Sequence, residues 1–177
     1  MTTTTTITQT PAGTYKLDPV HSTFGFTVTH NGVSKFHGQF EQVDAALEDG
    51  VLVGTAQVDS IKTAIPQLKD HLLSPEFFNA AETPTITFRS SDIRIAENGT
   101  VEVDGDLTIR GASKPLTATG SFASGVGISG AEVVGFDLAA TIDRRDYGLS
   151  WQAQLPKGGD VLAWDVTLQI HLELAKA

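Results

Sequence analysis

Five histidines and one dense charge cluster are the side chains of this sequence best suited to chemistry. The histidines are His21, His30, His37, His71 and His171. An imidazole can serve as a general base near neutral pH or ligate zinc. No two of them stand two apart on a strand or four apart on a helix, the spacings that bring ligands together locally. His30 and His37 can meet only across a hairpin, and no metal site is assigned. No serine sits in a G-x-S-x-G elbow. The charge cluster is Asp143-Arg144-Arg145-Asp146-Tyr147-Gly148, at the end of a strand pattern. A salt-bridged corner accounts for it, with Asp160 as a further partner. The sharper reading is an arginine meeting a phosphate or carboxylate head group. Gly125-Val126-Gly127-Ile128-Ser129-Gly130 matches a dinucleotide fingerprint by letter. That chemistry needs a helix after the glycines. Strand patterns flank them on both sides, so they read as a hairpin loop and no cofactor is expected. Asn98-Gly99-Thr100, formally a glycosylation sequon, reads as a turn.

Composition narrows the classes further. The chain has 177 residues, 40% hydrophobic and 19% charged, with a formal charge of −9. One domain with a sizeable core fits that length. The acidic balance argues against nucleic acid and against an anionic membrane surface. There is no cysteine, hence no disulfide, thiol nucleophile or thiolate metal site. The N-terminal stretch MTTTTTITQTPAGTY has no basic or apolar signal region, so a cytoplasmic location is expected. Its threonine run is too polar to pack. Residues 1–13 are expected to be a disordered tail and 14–177 the folded domain.

The elements that must position these groups are mostly strands. In His21–His30, period-two alternation puts Ser22, Phe24, Phe26, Val28 and His30 on one side. A mostly apolar face ending in one polar group suits a long apolar ligand with a polar head. The plainer reading is a sandwich strand whose His30 has left the core. Asn31-Gly32, Asp49-Gly50 and Asn98-Gly99 are two-residue hairpin signals. Phe36, Gly38 and Phe40 share one face, as do Val101 to Ile109, Val134 to Ile142, and Leu162 to Leu172 at every second position. One helix is predicted near residues 65–73, with Pro66 at its start and Leu68 and Leu72 on one face. Ser74-Pro75 then opens a short turn to Phe78. The helix either plugs one end of the sheet or forms a lid over a pocket. Eight or nine strands in a meander predict an all-β, antiparallel up-and-down barrel, since closure removes exposed edges. A β-sandwich is the alternative.

Several stretches together resemble the YceI-like family of lipid-binding proteins. They are YKLDPVHSTFGFTVTH, SIKTAIPQLKDHLLSPEFFN, TPTITF, VDGDLTIRGASKPLT, TIDRRDYG and GGDVLAWDVTLQI. The resemblance runs from about Tyr15 to Leu174. It implies a lipocalin-like barrel of about eight strands, closed by a helix, whose lumen holds a polyisoprenoid, an isoprenoid quinone or a long-chain amide. The family is often dimeric, so a homodimer is an expected partner, and transient membrane contact is a further expectation for the chain. Tyr15 stands where the family usually has tryptophan. Many relatives are exported; with no signal seen at its start, this chain is expected in a cytoplasmic branch.

The expected function is binding, sequestration or transport of such a lipid, without catalysis. Candidate lining residues are Phe24, Phe26, Val28 and His30, then Phe36 and Phe40. Leu72, Phe77 and Phe78 join them from the helical segment, and Phe88, Phe136 and Trp164 from later strands. His21 and Arg144 are the head-group candidates. One rival is an enzyme using His30 or His21 as a general base on a bound lipid. Another is an interaction module with a closed core.

Overall fold

The structure is a computed structural model and describes residues 7–177. The strands are β1 (Ile7–Thr8), β2 (Thr14–Leu17), β3 (Thr23–His30), β4 (Ser34–Phe40), β5 (Val43–Glu48) and β6 (Val51–Gln57). After a 58–84 connection carrying the helix α1 (Pro66–Leu73) come β7 (Thr85–Ala96), β8 (Thr100–Ile109), β9 (Ala112–Val126), β10 (Glu132–Asp143) and β11 (Leu162–Lys176).

All pairings are antiparallel. β2 and β3 lie end to end against β11, with Leu17 opposite Leu174 and Thr23 opposite His171. β4 and β5 lie end to end against β3 and β2. Each of these couples is one broken stave. With β6 to β11 they make eight staves in sequence order, and β11 closes on the first. The fold is therefore the closed up-and-down barrel that the alternation predicts, with a single α-helix among the described residues.

The turns at 49–50, 97–99 and 127–131 lie at one end, the lower. The turns at 31–33 and 110–111, the 58–84 connection and the 144–161 segment lie at the upper end. Asp49 and Gly50 take φ of 46° and 84°, the left-handed pair of a tight hairpin. Asn31-Gly32 differs from the two-residue expectation. His30 faces Ser34, so Val33 is a third loop residue, pushed into solvent. The Gly125–Gly130 stretch ends β9 at Val126 and runs into the β9–β10 hairpin loop, closed by Gly127 N–H to Ala131 O at 2.8 Å. Ser74 ends α1, and its hydroxyl accepts the Glu76 N–H, shaping the turn to Phe78.

The expected disordered tail needs correcting. Residues 1–6 lie outside the described residues. The rest is placed: Ile7 pairs with Ala96, Thr8 with Ile95, and Gly13 exchanges hydrogen bonds with Asp49. Below the start of β6, the edge of β7 offers unpaired backbone, and a short β-capable segment satisfies it.

The lower half of the barrel is a filled core. Tyr15, Leu47, Val101, Val103, Val134, Phe136 and Leu174 are all at most 2% exposed. The Tyr15 hydroxyl donates to Glu132 at 2.8 Å, and Lys176 Nζ donates to the same carboxylate. That pair of donors, Lys176 first, holds the Glu132 carboxyl below the usual range. The interlocked side chains leave the space of the upper half to be accounted for.

Candidate functional site

The upper half of the barrel encloses a cavity of about 540 Å³. That is within the size of pockets that hold small ligands. Its wall is built by alternation, since each strand sends every second side chain inward. β3 contributes Phe24, Phe26, Val28 and His30, and β4 contributes Phe36 and Phe40. Leu107, Leu138, Ile142, Val166, Leu168 and Ile170 continue it around the barrel. Leu72, Phe77 and Phe78 cover it from the 58–84 connection, and Phe88 comes from β7. The structure thus brings together ten of the twelve lining residues expected from sequence. The polar side chains in the wall are few: His30, Ser34, Lys35, Thr55, Thr87, His71 and Arg144.

Phe26 owes its place to Gly38 across the hairpin. A Cβ at Gly38 would lie 2.2 Å from Phe26 Cζ, so only glycine lets the ring lie flat on the neighbouring strand. From there a line of rings crosses the cavity roof. Phe26 is 5.9 Å from Phe40, and Phe40 is 6.0 Å edge-on to Phe78. These centroid spacings are those of favourable aromatic pairs.

The cover is pinned at two further points. His71 on α1 stands edge-on to Phe77 at 4.9 Å and to Trp151 at 5.3 Å, and its Nε2 meets Glu76 at 2.6 Å. Arg110, in the left-handed turn between β8 and β9, donates from Nη1 to the Phe77 carbonyl at 2.6 Å. Trp151, His71 and Arg110 were missed as site residues. Their roles depend on contacts far apart in sequence. Only the Arg110-Gly111 turn leaves a local trace.

Arg144 lies in the wall, 3% exposed. Its guanidinium donates Nε to Ala163 O at 2.8 Å and Nη1 to Leu149 O at 2.5 Å and Trp151 O at 2.8 Å. Nη2 donates to Leu162 O at 3.1 Å. No carboxylate touches it, and burial lowers its pKa from the ordinary arginine value. Four of its five N–H donors therefore tie the 144–161 segment to the top of β11. The Asp143 carboxylate pairs with Arg145, as a salt-bridged corner requires.

Three expected site residues lie elsewhere. Trp164 is outside the barrel wall, with Arg144 and Arg145 over its ring at 4.2 and 4.7 Å. The register of β11 against β3 shifts between Leu162 and Val166, and this irregularity turns Trp164 out of the inward series. Phe136 does point inward, but into the filled lower core, where it meets Phe122 edge-on at 5.0 Å. It forms the floor beneath the cavity instead of its wall. His21 is exposed on the outer surface between β2 and β3. Its Nδ1 meets Asp18 Oδ2 at 2.8 Å, which raises its pKa, and Asp18 Oδ1 accepts the N–H groups of Val20 and His21. Glu173 comes within 4.8 Å of this pair. The arrangement is an aspartate-centred turn that breaks the first stave.

Comparison with known proteins agrees with this architecture. The YceI-like domain model matches residues 15–174. A UPF0312 protein of Staphylococcus aureus strain N315 is 33% identical over 171 residues, covering 91% of this chain and 96% of its own length. The crystal structure of Campylobacter jejuni YceI protein superposes with a TM-score of 0.72 at 25% identity, covering 84% of this chain and 90% of that one. Two further structures share the fold. Burkholderia cenocepacia BcnA has a TM-score of 0.70 at 22% identity, over 89% of this chain and 98% of that one. A polyisoprenoid binding domain from Saccharophagus degradans has 0.66 at 16%, over 92% and 98%. With its barrel, its single helix and a family match spanning nearly every described strand, this chain belongs to the YceI-like family.

Proposed function

We propose that the protein binds and carries one amphiphilic long-chain lipid in the upper half of its barrel, of isoprenoid type: a polyisoprenoid or an isoprenoid quinone. The carrying observation is the cavity of about 540 Å³, walled by aliphatic and aromatic side chains above a filled floor. The fold it shares with a domain described as polyisoprenoid binding supports the same reading. Each buried methylene contributes roughly 0.8 kcal/mol. About fifteen buried carbons would supply on the order of 12 kcal/mol before the costs of association and ligand ordering. Release into water is then slow. The scattered polar groups His30, Ser34 and Lys35 near the upper rim suit an uncharged or weakly polar head.

The test is mass spectrometry of an organic extract of purified protein, paired with uptake of added isoprenoids by delipidated protein. A long-chain lipid in the extract is the expected result. Repeatedly lipid-free extracts together with no uptake would count against the reading. Phe26→Trp provides the mutational arm. The larger ring has open cavity before it, so delipidated protein should keep its stability within about 0.5 kcal/mol. Lipid content should fall sharply. A loss of roughly 1–3 kcal/mol with unchanged lipid would show a packed core at Phe26 instead.

A further inference from the structure

We propose that the protein docks on the surface of a phospholipid bilayer with the upper side of its barrel, at the seam beside β4, and exchanges its lipid there. The inference rests on the lipid-cavity reading above and adds the surface through which the cavity is served. It begins with the sheet. Among the described residues, β4 pairs with β3 along one side only. Its other side meets no strand, because β6 and β7 end below it. A strap takes their place: Ile61 bridges Phe40, and Lys62 N–H donates to Gln39 O at 2.7 Å. The strap runs antiparallel to β4, towards the 31–33 turn, before α1 begins. The ladder of backbone hydrogen bonds is also interrupted between β9 and β10 above the Thr119–Ala139 pair, and between Leu162 and Val166 where β11 meets β3. The seam beside β4 is the gap flanked by Val33 and Ile65, and passage through it breaks only a few backbone hydrogen bonds.

The two flanks of this seam carry largely exposed apolar side chains. Val33, at the tip of the β3–β4 turn, is 86% exposed, and Ile65, at the end of the strap, is 53% exposed. Neither helps close the core. A pair of exposed apolar groups beside a lipid cavity is suited to shallow insertion between head groups. Charge points the same way. The chain is acidic overall, yet Lys35 on β4 and Lys62 on the strap stand at the seam, Lys69 follows on α1, and Lys35 also lines the cavity. Lysine stems can lie along an apolar surface while the ammonium reaches phosphate. Glu41, 4.0 Å from Lys62, and Asp70 moderate the patch, which fits a reversible contact more than a permanent one. No described helix is long and apolar enough to cross a membrane, so the contact is peripheral. The exposed Val126 and Ile128 sit on the hairpin tip at the lower, filled end, and serve as the natural control.

The experiment follows transfer of retinol, a fluorescent isoprenoid, from loaded protein to acceptor vesicles. These are phosphatidylcholine alone, or phosphatidylcholine with a minor fraction of phosphatidylglycerol. Docking predicts a transfer rate that rises with vesicle concentration and is faster with phosphatidylglycerol present. The double variant Val33→Asp, Ile65→Asp should load retinol normally but transfer about tenfold more slowly, since the buried apolar contact is lost. Ile128→Asp should transfer like wild type. Lys62→Glu, on the strap and outside the cavity wall, should reduce only the gain from phosphatidylglycerol. A wild-type rate independent of vesicle concentration would mean release into water and would overturn the proposal, whether or not the variants fold. An Ile128→Asp variant as slow as the double variant would also overturn it. Failure of the wild type to load retinol or any other isoprenoid would strike the lipid-cavity reading itself. Normal loading with concentration-independent transfer would leave that reading standing.

Discussion

Gly120→Ala is expected to destabilise the barrel by roughly 3–5 kcal/mol, lowering the thermal midpoint by about 10 °C. Gly120 sits in β9, opposite Leu138 of β10 on one side and Val101 of β8 on the other. A Cβ there would lie 1.7 Å from the Asp137 carbonyl oxygen and 3.2 Å from the Leu138 Cα. These obstacles are backbone atoms held by ladders on both sides, so no side chain can swing away to make room. The two strands must part or slip, and Leu138, a cavity-wall residue, moves with them. A matched control lies on the same strand. At Gly125 an added Cβ meets nothing within 4 Å, and alanine there should change stability by less than about 0.5 kcal/mol. Denaturant unfolding of both variants makes the comparison. Equal stabilities would mean that β9 and β10 do not approach in this register.

The second large effect is expected at Arg144. Arg144→Met keeps apolar bulk but removes every donor to the carbonyls of Leu149, Trp151, Leu162 and Ala163. Relief of the buried charge offsets part of the loss. The stranded carbonyls and the freed segment should still cost about 3 kcal/mol. Arg144→Lys should recover little, because one ammonium cannot reproduce a planar fork spread over four acceptors. Amide exchange and protease cutting should both rise within 149–161, while the lower core, including Val101 and Val103, stays protected. A variant with unchanged protection in that segment would show that Arg144 does not anchor it, and would return the guanidinium to consideration as a head-group ligand.

The barrel was legible because period-two alternation is a strong signal and because turn pairs such as Asp49-Gly50 demand left-handed backbone. The same alternation told which residues face inward. It carried no information on whether the space they face is filled. Phe26 and Phe136 look alike in sequence, yet one faces the cavity and the other packs on Phe122. Packing is a property of all eight staves at once. Trp164 failed for another reason. A single register shift reverses every expectation until the pattern resumes at Val166. His21 was misplaced because Asp18, three residues earlier, captures its backbone and its ring in a local turn. Arg144 was identified as special, but the four carbonyls that hold it come from a segment without periodicity.

The division of the barrel into a filled lower storey and an open upper one separates two selective pressures. Part of the buried core, such as Leu47, Val101 and Leu174, lies outside the cavity wall and contributes folding free energy through side chains that no ligand touches. Substitutions around Phe26, Leu168 or Ile170 can then reshape the cavity while the fold stays above the stability threshold on which most proteins sit close. Ligand preference is free to drift at nearly constant foldedness. A bound lipid, in turn, adds stability only through mass action, growing with the logarithm of its free concentration over Kd, and not by completing the core.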